Sequence, residues 1–272
     1  MFRARLLAGL LLAMTPLCTS VQAGQFVEFD NSVESPNRVR LIGYMARPNG
    51  TGPFPAVVLL HGCGGFHASM LSWADRLALF GYVALAVDSF GPRGIDVHCG
   101  GFAEQSADSY AALRYLTNQT FVVPARVAVM GFSMGGTSVL ADVEKGSIEK
   151  LYSGMFRAGV AVYPDCGGAS GIMAVPVLIL AGQADDWNPA SECEAMAAGR
   201  SGIGVSRVPG DRSSLQLIVY PGTHHYFDIV DLSLRPSFGI TFLGHRLEYN
   251  EAAMKDSISQ VRSFLQLTLS HP

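Results

Sequence analysis

The sequence predicts an α/β fold in which a mostly parallel, doubly wound sheet is covered by helices on both faces. Three observations lead to this prediction. Short apolar runs that end in glycine or aspartate recur along the chain, as is typical of buried parallel strands. Helical patterns separate these runs, which indicates repeated βαβ units. The chain has 272 residues, of which 49% are hydrophobic, and this is enough for the core of one large domain.

The predicted strands follow one another from residue 40 onwards. The first, RLIGYMARP, alternates apolar and polar residues, whereas the later ones are continuous apolar runs. These later runs are FPAVVLLHG, GYVALAVDSFG, ARVAVMGFS, AGVAVYPD, VPVLILAGQAD and LQLIVYPGTHH. Predicted helices lie between and after them, at about 68–80, 104–118, 134–145, 190–200 and 250–268. In a sheet of this kind, reactive groups gather at the carboxyl ends of the strands.

The first residues, MFRARLLAGLLLAMTPLCTSVQAGQ, have the pattern of an export signal. Arg3 and Arg5 precede an apolar stretch, and small residues end at Ala23, so we expect residues 1–23 to be removed as a signal peptide. A single α/β domain, residues 24–272, would remain in the periplasm or be secreted. The apolar stretch is shorter than the ~20 residues that span a bilayer, so no stable membrane anchor is expected after cleavage.

Charge and cysteine content narrow the possible function classes. Loss of the signal peptide lowers the formal net charge from −3 to −5 and leaves no basic stripe, so nucleic acid is not an expected partner. Four cysteines remain, Cys63, Cys99, Cys166 and Cys193, and an even number in an exported chain indicates disulfides. Of the three pairings, we favour one containing Cys166–Cys193, because both follow strands that should be neighbours. The cysteine and histidine residues show no spacing that is typical of a zinc site. Neither a metal nor an organic cofactor is expected.

The stretch GFSMGG, residues 131–136, is predicted to carry a nucleophile at Ser133. A strand pattern precedes the serine and a helical pattern follows it, which is the context that a nucleophile elbow requires. Glycines two residues before and after the serine avoid steric collision at the sharp turn. The alternative, an ordinary glycine-rich turn, would not require this complete context.

A serine nucleophile needs a base and an orienting acid, which should follow it in the order Asp or Glu, then His. The segment AGQADDWNP offers Asp185 and Asp186, and the segment YPGTHHYFD offers His224 and His225. Both pairs lie just after predicted strands, so both could reach the elbow. Spacing alone does not choose within either pair.

Two backbone N–H groups are expected to bind the oxyanion that forms during acyl transfer. One belongs to Met134, which directly follows the nucleophile. The other comes from the glycine-rich segment LLHGCGGFH, where either Cys63 or Gly64 could donate. Cys63 is disfavoured as a nucleophile because no helix-opening elbow surrounds it.

Five further side chains are candidates for substrate binding. Arg93, in the segment VDSFGPRG, could bind an anionic part of a substrate. Four aromatic residues flank the expected catalytic positions and could line an apolar pocket, although aromatic residues near strand ends equally often belong to the core. They are Phe66, Phe90, Trp187 and Tyr226.

Taken together, these motifs resemble the dienelactone hydrolase family of the α/β-hydrolase superfamily, in its exported bacterial branch with a serine nucleophile. The resemblance runs from VVLLHGCGG through VDSFGPRG, GFSMGG, ILAGQADDWNP and YPGTHHYFD to the last helix, YNEAAMKDSISQVRSFL. It implies the α/β-hydrolase fold. It also implies a choice among the open alternatives: Asp185, followed by Pro189, as the acid; His225, followed by Tyr-Phe, as the base; and Cys63 as the second oxyanion donor.

Two departures limit what the resemblance implies. The namesake enzymes use a cysteine nucleophile and a glutamate after the third strand, whereas this chain has Ser133 and no glutamate in HGCGG. The resemblance therefore extends to ester hydrolysis in general rather than to dienelactone itself.

The sequence predicts an exported carboxylesterase that cleaves small or medium esters through an acyl-enzyme. An alternative within the enzymes is an exported peptidase or acyl-transferring hydrolase with the same triad, which the lack of a propeller or large cap domain disfavours. An alternative from another class is a non-catalytic binding protein on a hydrolase scaffold. Such a protein would usually lack a member of the triad, and this sequence contains all three.

Overall fold

A central eight-stranded sheet organises the molecule. The structure is a computed structural model, and it describes residues 21–31, 38–100, 103–146, 148–199, 214–231 and 240–270. The strand order is β1-β2-β4-β3-β5-β6-β7-β8. The strands are β1 (Val21–Asp30), β2 (Arg40–Pro48), β3 (Phe54–Leu60), β4 (Val83–Asp88), β5 (Val122–Phe132), β6 (Gly159–Val162), β7 (Val177–Gly182) and β8 (Leu215–Tyr220). Strands β1 and β2 are antiparallel to their neighbours, and the rest of the sheet is parallel. The predicted mostly parallel α/β sheet is confirmed.

Helices cover both faces of this sheet. They are α1 (Ala68–Leu79), α2 (Ala103–Thr117), α3 (Met134–Val143), α4 (Ala190–Ala197) and α5 (Glu251–Leu269). Buried side chains of α2, α3 and α4 share one apolar cluster with the sheet, and those of α1 and α5 share the other. This two-sided arrangement matches the predicted α/β-hydrolase fold.

Strand β3 shows why the parallel strands are continuous apolar runs. Val58 and Leu60 pack into the cluster beneath α2 and α3, whereas Val57 and Leu59 pack into the cluster beneath α1 and α5. All four side chains are fully buried. Successive residues of a strand point to opposite faces, so a strand covered on both sides needs apolar residues at every position.

The strand order creates a crevice at one edge of the sheet. After β4 has paired on one side of β3, the chain crosses to form β5 on the other side. The loops that follow β3 and β5 therefore run in opposite directions from the carboxyl ends of these two strands. In open α/β sheets, ligands bind in the crevice at such a switch point.

Three features of the fold differ from the sequence-based expectation. Strand β1 was not predicted, because its first residues coincide with the expected signal-peptide end. The short hairpin β9 (Ile240–Phe242) and β10 (His245–Leu247) was also missed, because three-residue strands leave no clear periodicity. Helix α3 ends earlier than predicted, because Glu144 pairs with Met173 in an isolated bridge.

The predicted signal peptide falls mainly outside the described residues. Its residues 1–20 are not among them, and residues 21–23 form the start of β1 opposite the end of β2. Cleavage after Ala23 stays a prediction. Within the described ranges, no helix is both long enough and apolar enough to cross a membrane.

Candidate active site

Ser133 lies on a sharp turn between strand β5 and helix α3. Its backbone has φ 54° and ψ −120°, a left-handed conformation that is costly for a residue with a side chain. The flanking glycines make the turn possible, because a Cβ on Gly131 would collide with the backbone of Gly135, and one on Gly135 with the backbone of Leu60. The Ser133 N–H donates to the carbonyl of Val162 at 2.9 Å, which ties the strained turn to β6.

His225 is the hydrogen-bond partner of Ser133. Its Nε2 lies 2.9 Å from Ser133 Oγ, and its Nδ1 lies 2.6 Å from Oδ2 of Asp185. With a proton on Nδ1 donated to the carboxylate, Nε2 is free to accept the hydroxyl proton of the serine. The imidazole is fully buried and stacks on the ring of Tyr226, with centroids 5.0 Å apart.

Asp185 is held in place by both of its carboxylate oxygens. Oδ2 accepts from His225, while Oδ1 accepts from the backbone N–H groups of Trp187 and Asn188, each at 2.9 Å. The side chain is completely buried. A carboxylate fixed in this way sets the orientation of the imidazole and stabilises it when it becomes charged.

The structure separates the members of the two duplicated pairs. Asp186 points outwards and its Oδ1 accepts from the N–H of Arg246 at 3.1 Å. His224 faces Glu248, with Nε2 and Oε2 3.8 Å apart. Only one residue of each pair, Asp185 and His225, therefore belongs to the hydrogen-bonded series that ends at Ser133.

The two candidate oxyanion donors lie at the wall of the same cleft as Ser133. Neither the N–H of Cys63 nor that of Met134 donates to another group within the described part of the chain. Met134 also opens helix α3, whose N-terminal end favours negative charge. The pair is therefore available to bind an oxygen that carries developing negative charge.

A buried histidine, which the sequence analysis did not single out, supports the Cys63 loop. His61 Nδ1–H donates to the carbonyl of Gly62 at 2.7 Å, and its Nε2 accepts from the N–H of Ser89 at 3.1 Å. Burial lowers the pKa of His61, which favours the neutral imidazole that this pattern needs. Gln105 adds a second support by donating to the His61 carbonyl and accepting from Ser138. Their signal in the sequence was weak: His61 only precedes the glycine-rich motif, and Gln105 lies within a helix.

Another buried group holds the loop that carries His225. Asp228 accepts hydrogen bonds from the hydroxyl of Tyr163 at 2.7 Å and from the indole N–H of Trp73 at 2.8 Å. Burial raises the pKa of Asp228, and these two hydrogen bonds oppose that rise. Because Asp228 lies three residues after His225, the contacts fix the position of the base.

The cleft above Ser133 has a volume of about 340 Å³. It is lined by Cys63, Cys99, Gly100, Ser133, Met134, Thr137, Ser138, Asp165, Trp187 and Asn188. Of these described lining residues, Asp165 alone carries a charge. No group of three or more His, Cys, Asp or Glu side chains within the described ranges is arranged to hold a metal ion.

Arg93 does not contact the cleft, which corrects its expected role in substrate binding. Its guanidinium forms a bidentate ion pair with Asp108, in which Nη1 and Nη2 lie 2.8 and 2.9 Å from the two carboxylate oxygens. Nη1 also donates to the carbonyl of Ser89. Only 10% of the Arg93 side chain is exposed, and none of the Asp108 side chain. Its position in a loop suggested substrate binding, but the guanidinium is paired with the buried carboxylate of Asp108 on α2.

The four aromatic candidates divide into one that lines the cleft and three that do not. Trp187 lines it and stacks on His245, with ring centroids 4.8 Å apart. Phe90 is buried against His61, and Phe66 packs on the core cluster beneath α1 and α5. Tyr226 lies beneath the base as its stacking partner, and burial raises the pKa of its hydroxyl to about 12.

Both pairs of cysteines form disulfides in the structure. One joins Cys166 to Cys193, as favoured from the sequence, and the other joins Cys63 to Cys99. The first links the loop after β6 to helix α4. The second lies at the cleft itself, and its place there was not foreseen.

Comparison with known proteins identifies one family and related sequences. The model of the dienelactone hydrolase family matches residues 41–269. A Bradyrhizobium protein named "Probable 2-oxo-3-(5-oxofuran-2-ylidene)propanoate lactonase" is 26% identical over 205 residues, which cover 68% of this chain and 78% of that protein.

Solved structures share the fold at lower identity. A dienelactone hydrolase-like promiscuous phosphotriesterase from metagenomic libraries is 20% identical with a TM-score of 0.65, covering 91% of this chain and 99% of that one. Esterase 2 of Thermogutta terrifontis, solved after phosphorylation by paraoxon, is 16% identical with a TM-score of 0.64, covering 92% of this chain and 96% of that one.

Proposed function

The chain belongs to the dienelactone hydrolase family, and from that premise we propose that it hydrolyses small-molecule esters with Ser133 as the nucleophile. His225 would act as the base and Asp185 as the orienting acid. The observation that carries this proposal is the continuous hydrogen-bonded series from Ser133 through His225 to Asp185 at the floor of an open cleft. A serine hydroxyl is a weak nucleophile alone, and this arrangement supplies the base that it needs.

The proposed reaction begins when Ser133 Oγ attacks the ester carbonyl and His225 Nε2 accepts the hydroxyl proton. The carbonyl oxygen becomes an oxyanion, which the N–H groups of Cys63 and Met134 stabilise. His225 is then an imidazolium, paired through Nδ1 with Asp185. When the tetrahedral intermediate collapses, Nε2 returns the proton to the departing alkoxide and an acyl-serine remains. Water, activated by the same imidazole, releases the acid and restores the serine.

Cleft size and charge favour neutral esters of small or medium size. A volume of about 340 Å³ is within the range of pockets that hold small ligands. Asp165 is exposed, so its repulsion of a substrate carboxylate would be limited to ~1 kcal/mol or less. Arg93 is occupied by Asp108 and does not supply a compensating positive charge.

Lactones are a second candidate substrate class, because a relative from Bradyrhizobium carries a lactonase name. A lactone is an internal ester, and the same acyl-enzyme steps apply. The alcohol simply stays attached to the acyl group after ring opening.

Export to an oxidising compartment is part of the proposal. The two disulfides support it, since such bonds persist outside the reducing cytosol. N-terminal sequencing of protein recovered from the periplasm or medium should give a chain beginning at Gly24. A chain that keeps residues 1–23 would contradict cleavage.

The function is tested with purified mature protein and a panel of esters that vary in acyl length and charge, together with simple lactones and a peptide anilide. We expect turnover of neutral short-chain esters and covalent labelling by a fluorophosphonate at Ser133, mapped by mass spectrometry. Tight binding of a ligand without turnover would instead favour a binding protein. Faster cleavage of the anilide than of every ester would favour a peptidase.

A further inference from the structure

The loop between β4 and α2 folds back over the glycine-rich loop that carries Cys63. The N–H of His98 donates to the Cys63 carbonyl at 3.1 Å, and the next residue, Cys99, forms the disulfide with Cys63. Cys99 and Gly100 continue from there along the wall of the cleft. Cys63 is therefore held at both its carbonyl and its side chain by one short segment.

Cys63 also lines the cleft beside Ser133, and its backbone N–H is the second oxyanion donor of the proposed reaction. An oxyanion donor acts only if it lies ~2.7–3.1 Å from the developing charge, and loss of one donor typically lowers kcat by 10²–10³-fold. Misplacement by about 1 Å can cost as much as ~100-fold. A tether on Cys63 therefore acts on the reaction through donor geometry.

The two disulfides differ in their access to solvent. Cys99 is exposed, whereas Cys166 and Cys193 are 1% and 0% exposed. An external thiolate must reach a sulfur atom to open a disulfide, so access decides which bond is reduced first. A mild reductant should open Cys63–Cys99 while Cys166–Cys193 stays intact.

Opening this disulfide should leave the rest of the loop in place. Its first half is pinned to α2 by the buried ion pair between Arg93 and Asp108. Arg93 N–H donates to the Phe90 carbonyl and closes a tight turn there. Reduction therefore removes the covalent link at Cys99 while the first half of the loop keeps its contacts.

We propose that the Cys63–Cys99 disulfide is a positioning element of the oxyanion site, and that its reduction reversibly lowers the hydrolytic rate. This inference rests on the proposed ester hydrolysis. In the reduction, a dithiol thiolate attacks Cys99 Sγ and Cys63 leaves as a thiolate. The second thiol of the reagent then displaces Cys99. The reagent becomes a cyclic disulfide, and its two protons end on the two cysteines.

The test compares oxidised and partly reduced wild-type protein. Protein is treated with increasing dithiothreitol, desalted at mildly acidic pH to slow reoxidation, and assayed with a neutral short-chain ester. A parallel sample is alkylated and mapped by mass spectrometry. We expect kcat to fall about tenfold or more as Cys63 and Cys99 become alkylatable, with KM changed less than about threefold, unchanged circular dichroism, and recovery on reoxidation.

Variants provide the matched comparison. Cys99→Ser should reproduce the fall in kcat without reductant and should not respond to it. The double variant Cys166→Ser with Cys193→Ser should keep a normal kcat in its folded fraction and should still lose activity on reduction.

The outcomes separate the inference from the function on which it rests. Equal kcat before and after reduction of Cys63–Cys99, or a loss of kcat that occurs only together with unfolding, would overturn the inference alone. Oxidised wild-type protein that hydrolyses no ester and takes no fluorophosphonate would instead refute the proposed function.

Discussion

The Nε2 atom of His225 lies 2.9 Å from the hydroxyl oxygen of Ser133, although 92 residues separate them in the chain. Parallel strands β5 to β8 bring their following loops to the same edge of the sheet, which explains the meeting. His225 forms an isolated β-bridge with Leu247, and its carbonyl accepts a hydrogen bond from the Glu248 N–H at 3.0 Å. These backbone contacts fix the position of the base. Backbone contacts therefore build the geometry, and side-chain substitutions should remove activity without removing the fold.

Ser133→Ala should lower kcat for a neutral ester by about 10³-fold or more, because the acyl-enzyme can no longer form. Circular dichroism and thermal unfolding should stay close to wild type. A fluorophosphonate should label wild-type protein once and the variant not at all. An active alanine variant, or a label on another residue, would contradict the assignment.

Within the duplicated pairs, the inner residues should matter far more than the outer ones. Asp185→Asn and His225→Ala should each lower kcat/KM by at least about 10²-fold, because each breaks the series that ends at Ser133. Asp186→Asn and His224→Ala are the matched controls and should stay within about threefold of wild type. A reversed order in either pair would show that the other residue of that pair acts on the serine.

The sequence predicted the parallel strands, the main helices and the motif positions, because local patterns encode them. The central parallel strands β6 and β7 are buried on both faces and so are apolar throughout, and the elbow at Ser133 needs glycines at fixed spacing. These signals are contained within about ten residues. They can therefore be identified without knowledge of the tertiary contacts.

Features that depend on distant partners could not be predicted in the same way. Arg93 has the same local sequence whether it faces a substrate or a buried carboxylate, and Asp108 on α2 decides the outcome. The position of the Cys63–Cys99 disulfide at the cleft depends on how the β4–α2 loop folds back. The choice between His224 and His225 required a family resemblance, since spacing left it open.

Asp142 should make the stability of the protein depend on pH. Its side chain is fully buried, and burial raises its pKa to about 8, although hydrogen bonds from Ser106 and Ser109 oppose the rise. Between about pH 4 and pH 8 the folded state keeps a proton that the unfolded carboxyl, with a pKa near 3.9, has lost. The free energy of unfolding should therefore fall as pH rises through this window, by up to about 1.4 kcal/mol per pH unit.

Asp142→Asn removes the titrating group while keeping nearly the same shape. Urea unfolding at pH 5 and pH 8 should show a smaller decrease in stability for this variant than for wild type. Asp186→Asn, which changes an exposed carboxylate, is the control and should follow the wild-type curve. Identical pH dependence of wild type and Asp142→Asn would show that Asp142 is not the group that titrates.

Arg93→Ala should affect stability rather than substrate selection. Removing the guanidinium leaves the Asp108 carboxylate buried and unpaired, which typically costs about 3–5 kcal/mol. The double variant Arg93→Met with Asp108→Leu removes both charges and should recover much of that loss, because no isolated charge remains. Chemical unfolding of the three proteins measures both effects.

The substrate side of the same prediction uses a matched pair of esters, one neutral and one bearing a carboxylate. The Arg93 guanidinium already contacts Asp108 and the Ser89 carbonyl and does not line the cleft, so it has little capacity to bind a substrate anion. We expect the folded fraction of Arg93→Ala to keep kcat/KM for the neutral ester within about tenfold of wild type, a change of less than ~1.4 kcal/mol. The ratio between the two esters should shift by less than about threefold. A strong wild-type preference for the carboxylate ester that disappears in Arg93→Ala would mean that Arg93 leaves Asp108 to bind substrate, and would restore an anion-binding role for this loop.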